Sequence, residues 1–149
     1  MKRINLLLFT LIIILQSCNN DDNCDQDCFT PPNTFLFEVL DKTSGENLFT
    51  NETYNPEDII ITDSLNDNQS VAYTFISEDN LNLIQIGSIG WETEIVNLNI
   101  NISEDHIFDL YVDVERKSEN CCSFSQYNEI RVSNSELDTQ TGIYKILVE

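Results

Sequence analysis

The groups best able to do chemistry in this chain are five cysteines, one histidine and 26 carboxylates. Cys18, Cys24 and Cys28 lie close together near the start, and Cys121 and Cys122 are adjacent near the end. Thiols in this number offer a sulfur-ligated metal site, a disulfide framework or a covalent attachment point. Cys-x3-Cys followed by a distant Cys-Cys departs from the paired Cys-x2-Cys knuckles of structural zinc, so no metal site is expected. Asp21-Asp22-Asn23-Cys24-Asp25-Gln26-Asp27 places oxygen ligands at alternate positions. It lacks the glycine at the sixth position and the acid at the twelfth that a calcium loop uses, and reads as a tether.

His106 opens a strand in phase with inward-facing residues and is expected to be partly buried at a sheet end. Serine catalysis needs a base beside an oriented nucleophile, and no Gly-x-Ser-x-Gly sequence is present. Four glycines and no phosphate-cradling loop leave no expected cofactor. An acid-pair glycoside hydrolase needs two carboxylates at a defined separation. With 26 acids some pair meets that distance by chance, so no catalytic residue is assigned and an enzyme is not expected. A binding role is easier to place. Trp91 follows Gly90 at a strand start, and Tyr111 lies between Asp109 and Asp113 on a polar strand face. Aromatic rings beside carboxylates suit a sugar ligand, held by stacking and hydrogen bonds.

The elements that would position these groups begin with a leader. Met1-Lys2-Arg3 precedes an apolar run from Ile4 to Leu15 broken only by Asn5 and Thr10. A basic start, about a dozen apolar residues and a small residue before a cut form the pattern of a secretory signal. The run is short of the roughly 20 residues a spanning helix needs. Leu15-Gln16-Ser17-Cys18 resembles the bacterial lipobox, with Gln16 a departure from its commonest form. The resemblance implies cleavage before Cys18 and acylation of its thiol. Residues 1–17 are then the signal peptide, 18–33 a lipidated polar tether and 34–149 the folded domain. The acidic Asn19-Asn20-Asp21-Asp22 run resembles the surface-export signals of Bacteroidota lipoproteins. It implies a small lipoprotein of the flavobacterial type, on the outer membrane and either periplasmic or surface-exposed.

Removing residues 1–17 leaves 132 residues with five basic and 26 acidic side chains, a formal charge of −21. Such a surface argues against nucleic acid, which needs a basic footprint. It also argues against attraction to anionic lipid, so the expected partner is the bilayer, reached through acylated Cys18. With Cys18 acylated, four cysteines remain, and an even number in an exported protein points to disulfides. Adjacent cysteines rarely bond each other, because the small ring strains the peptide. Cys24 and Cys28 are each expected to join one of Cys121 and Cys122, the choice being open.

The tether ends in Thr30-Pro31-Pro32-Asn33, and periodicity of two follows. Runs around 34–41, 58–62, 71–75, 81–87, 92–102, 106–115, 130–132 and 144–148 predict about eight strands. Turn-forming stretches separate them, among them Ser44-Gly45-Glu46-Asn47 and Thr139-Gln140-Thr141-Gly142. Asn55-Pro56-Glu57-Asp58 predicts one short helical turn. The pattern reads as an all-β antiparallel sandwich, with a small barrel as the alternative. Phe37 to Leu48, a strand followed by Asp-x-x-Ser-Gly-Glu and an aliphatic residue, resembles the first hairpin of immunoglobulin-like and prealbumin-like modules of Bacteroidota surface proteins. Gly45 is expected to supply a positive φ there. Asp63-Ser64-Leu65 resembles the O-glycosylation sequon of the same group, which makes Ser64 a candidate modification site. The expected function is that of a lipid-anchored envelope protein, non-catalytic, acting in binding or as a structural accessory. A carbohydrate-binding module of a surface uptake system is the alternative.

Overall fold

A computed structural model of the chain describes residues 28–78, 81–119 and 121–149. The expected signal peptide, Cys18, Cys24 and the first part of the expected tether lie outside the described residues.

Eleven strands form two sheets packed face to face. They are β1 (Cys28–Phe29), β2 (Phe35–Asp41), β3 (Ile59–Asp63), β4 (Gln69–Ser70), β5 (Thr74–Ile76), β6 (Leu83–Ile86), β7 (Glu94–Ile102), β8 (Asp105–Glu119), β9 (Cys122–Val132), β10 (Ser135–Asp138) and β11 (Ile143–Val148). The first sheet has the order β1-β9-β8-β7-β3-β4 and the second β10-β11-β2-β6-β5. Each apolar run among the described residues is a strand or packs on the core. The strands the pattern did not mark, β1, β4 and β10, are short and hold no fully buried side chain. Most pairings are antiparallel, but β11 lies parallel to β2 and β1 parallel to β9. Side-chain alternation is the same in both directions, so periodicity alone does not set strand direction.

The core follows from the alternation. Phe108, Leu110, Val112 and Val114 of β8 and Leu98, Ile100 and Ile102 of β7 project from the first sheet and are almost wholly buried. Phe37, Val39, Ile84, Ile86 and Ile146 meet them from the second. Phe37 touches Phe108 across the interface at 4.7 Å between ring centroids and stacks on Tyr144 of the neighbouring strand. Truncating a side chain of this kind costs about 3–5 kcal/mol, transfer and cavity together.

The long connection from β2 to β3 is ordered by side-chain capping. The Asp41 carboxylate accepts from the backbone N–H of Thr43 and Ser44, at 3.0 and 2.6 Å. The chain reverses there, with Gly45 at the expected positive φ of 73°. A 3-10 turn at Pro56–Asp58 occupies the stretch predicted to be helical, and the Asn55 side chain accepts from the Glu57 N–H at its start.

Past the Val114–Tyr127 pair, β8 and β9 run on for five further residue pairs, Glu115–Gln126 to Glu119–Cys122. The segment 28–33 and the 87–93 loop are hydrogen-bonded to this overhang and to Tyr127 beside it. β1 pairs with Cys122 and Ser123, and a disulfide joins Cys28 to Cys122, whose Cα atoms are 4.4 Å apart. This decides half of the open connectivity. Cys121 is also disulfide-bonded.

Candidate functional site

Two sites are built on opposite faces of the first sheet. The first lies on the overhang, where the N-terminal segment joins the domain. Arg116 continues the inward series Phe108, Leu110, Val112, Val114, because residues two apart on a strand share a face. No core remains at that level, so its guanidinium lies among groups from three segments. Nη1 donates to the Thr30 carbonyl at 3.0 Å and to Ser125 Oγ at 2.8 Å. The guanidinium carbon is 4.9 Å from the Phe29 ring centroid and 5.7 Å from that of Trp91. Phe29 and Trp91 stack on each other at 5.3 Å, with 19° between planes.

The 87–93 loop is pinned to the same place. Ser125 Oγ donates to the Gly90 carbonyl at 2.6 Å, and Tyr127 Oη donates to the Ile89 carbonyl at 3.0 Å. Tyr127 Oη in turn accepts from the Asn33 N–H at 2.8 Å, and Glu94 accepts from the Gly90 N–H at 2.6 Å. Gly90 has φ 103°, and a Cβ there would stand 3.1 Å from Tyr127 Oη and from Val114 Cγ2. The result is a clamp. A disulfide, a parallel strand pair, a cation on two rings and these side-chain hydrogen bonds hold the 28–33 segment and the loop on one ribbon.

Charge sets Arg116 apart. The other four lysines and arginines among the described residues each pair with a carboxylate: Lys42 with Glu149, Lys117 with Glu115, Arg131 with Glu129 and Lys145 with Asp138. Among the described residues Arg116 has no carboxylate partner. The Asn128 amide and Lys117 together hold the Glu115 carboxyl below its usual range.

The second site is the outer face. Tyr111 stands between Asn97 and Arg131 in the cross-strand register, with Asp109 beside it opposite Asn99. The Arg131 guanidinium carbon lies 4.2 Å over the Tyr111 ring centroid. An open groove of about 700 Å³ runs from Asn97, Asp109, Tyr111 and Arg131 round the sheet edge to Leu137 and Tyr144. Its lining offers amide, carboxylate, guanidinium and hydroxyl groups, chemistry for a polar ligand. One face of the Tyr111 ring is taken by Arg131, so stacking of a ligand there needs the other face or displacement of the cation.

Trp91 and Tyr111 do not form one site. Trp91 touches Arg116 on the inner side of the β8–β9 ribbon, and Tyr111 points from the outer side. They are also displaced along β8 by five residues, about 17 Å at strand rise. Asp109 and Asp113 are four residues apart on one strand, roughly 13 Å. That exceeds the roughly 5–9.5 Å over which glycosidase carboxylates work. Asp113 does face Glu129 across the ribbon, on the open sheet face.

His106 corrects an expectation. The alternation predicted an inward, partly buried ring. The β7–β8 register shifts between Ile100 and Asn101, so Ile107 and Phe108 are both buried while His106 is exposed opposite Asn101. The imidazole lies 3.3 Å from Asn101 Oδ1 and 3.4 Å from Asp109 Oδ1. A bulge of one residue reverses the phase of everything before it, which a pattern of apolar residues does not reveal.

Ser64 is exposed, next to the outer face. Its hydroxyl donates to the Asn97 carbonyl at 3.0 Å and accepts from the Asn97 amide at 2.8 Å. Asp63 of the same motif is buried and accepts from the N–H groups of Leu65 and Asn97. Sequence reasoning missed Phe29, Arg116, Ser125, Tyr127 and Arg131. For Arg116 a signal existed: a cation in phase with four buried residues. The others depend on contacts between distant segments. No metal-ligating cluster of three or more residues occurs among the described residues. Compared with family models, curated proteins and solved structures, the chain matches none. Fold and geometry therefore define it as a two-sheet β-sandwich with a covalently clamped N-terminal strand.

Proposed function

We propose that the chain is a small lipid-anchored cell-envelope protein, of the type found in Bacteroidota, whose sandwich acts in binding or as a structural accessory without catalysis. The observation that carries this reading is the clamp. A tether used only as a flexible leash needs no fixed junction. Here the segment entering the domain is bonded through Cys28 to Cys122, and hydrogen bonds at Thr30 and Asn33 fix its path. Such a junction suits a domain held at one end and presented in a set direction.

The test is the fate of Cys18. Intact mass of the protein from its native envelope is expected to show signal cleavage before Cys18 and a diacylglycerol-derived addition on it. Cys18→Ser is expected to move the protein from the membrane to the soluble fraction. An unmodified N-terminus sinks the anchoring claim.

A second reading, carbohydrate recognition, draws support from the outer groove at Asn97, Asp109, Tyr111 and Arg131 rather than from Trp91. Retention on immobilised polysaccharide that falls at least about tenfold in Tyr111→Ala would sustain it, on the scale of roughly 1.4 kcal/mol per decade. Retention lost in Trp91→Ala but unchanged in Tyr111→Ala would remove the groove as the site.

A further inference from the structure

We propose that Phe29, Trp91 and Arg116 form a contact with the lipid headgroup interface, so that the clamp end of the sandwich rests on the membrane that anchors it. The inference rests on the anchoring reading and adds which surface meets the bilayer.

The two rings are 56% and 48% exposed although they stack on each other. They give the clamp end an aromatic patch made from two separate segments. The Trp91 indole, with an apolar ring and an N–H, favours the membrane–water interface, and Phe29 extends its apolar surface. Arg116 adds the matching polar group. Its guanidinium donates to Thr30 and Ser125 through Nη1, and among the described residues it is the basic side chain without a carboxylate. A guanidinium so placed suits a phosphate oxygen.

Chain length selects lipid over another protein as the occupant. Ten chain steps separate Cys18 from Cys28, a reach of at most about 36 Å. The fifteen-residue β8 is about 50 Å long. The clamp end is therefore kept near the bilayer, while the β7–β8 turn at Ser103 and Glu104 stands far along the domain. Glu92 and Glu94 flank Trp91 in sequence, so the contact does not depend on anionic lipid.

Trp91 is the chain's only tryptophan and serves as the reporter. The full protein, expressed with its own signal and purified from membranes, is reconstituted into phosphatidylcholine vesicles. Some vesicles carry bromine near the top of the acyl chains and others carry it near the bilayer centre. Mass spectrometry of the same sample reads the state of Cys18. Shallow bromines are expected to quench Trp91 at least about two-fold and deep ones less, since interfacial groups sit roughly 5–10 Å into the headgroup boundary. Adding anionic lipid is expected to leave the quenching unchanged.

Phe29→Ser is expected to lower the quenching. A second variant, Trp91→Phe with Ile60→Trp, puts the reporter on the exposed outer face opposite Asn101 and is expected to show none. Acylated protein whose Trp91 is unquenched, or whose two reporters are quenched alike, overturns the contact and leaves the anchor standing. An unacylated Cys18 overturns the anchor and the contact together.

Discussion

Cys28 and Cys122 face each other in a parallel strand pair and are joined by a disulfide, which closes a loop spanning 94 residues in sequence. The crosslink converts an N-terminal tail into the edge strand of a sheet whose other strands come from the second half of the chain and from β3 and β4.

Peptide mapping without reduction is expected to join the peptide containing Cys28 to that containing Cys122. A Cys24–Cys28 crosslink would refute the clamp. Replacing Cys28 and Cys122 by serine is expected to cost up to about 4.7 kcal/mol, the chain-entropy value for a loop near 100 residues. Denaturant midpoints of the wild-type and double-serine proteins measure it, and a change below about 1 kcal/mol would mean that the other clamp contacts already fix the segment.

Gly90→Ala is expected to destabilise by roughly 2–5 kcal/mol, from overpacking and the positive φ together. The added methyl meets Tyr127 and Val114 at 3.1 Å. Gly45→Ala, with open space around it, carries only the backbone penalty of about 1–2 kcal/mol. Equal losses at the two positions would contradict the close packing of the 87–93 loop on β9.

Phe37→Ala is expected to lose about 3–5 kcal/mol, because its ring bridges the two sheets. Ile60→Ala, half exposed on the outer face, is expected to change stability by less than about 0.5 kcal/mol. Chemical denaturation separates the two, and a large loss at Ile60 would show that the outer face is covered.

The Ser44 N–H, then its hydroxyl, hold the Asp41 carboxyl below the ordinary aspartate value. The Gln140 N–H, then Lys145, do the same for Asp138. A carboxyl depressed in the folded state contributes stability that is whole above its unfolded value, about 3.9, and is lost as pH falls through the lower folded value. Stability is therefore expected to decline below about pH 4, and Asp41→Asn to make that decline shallower. Urea midpoints across pH 2–6 test it (roughly the carboxylate range), and an unchanged acid limb for Asp41→Asn would remove Asp41 from the account.

How much was legible depended on the range of the interaction. Phe108, Leu110, Val112 and Val114 declared a buried strand face because alternation is local, and Gly45 declared its turn for the same reason. The even count of cysteines after Cys18 declared disulfides but left their pairing open. The parallel pairings, the bulge that turned His106 outward and the separation of Trp91 from Tyr111 were not legible. Each depends on register between strands distant in the chain, and a one-residue shift reverses every side chain beyond it.

The amino-acid order by itself determined the acidic charge and the alternating runs of an all-β fold, and it raised the expectation of a leader ending at a lipobox-like Cys18. Only the tertiary structure decided that Cys28 bonds Cys122, that Phe29 stacks on Trp91 beneath Arg116, and that Tyr111 works on the opposite face with Arg131. The physical reason is the same throughout. A residue's type and spacing fix which face of a strand it occupies, but its neighbours across a sheet are set by pairing with segments the local pattern does not name.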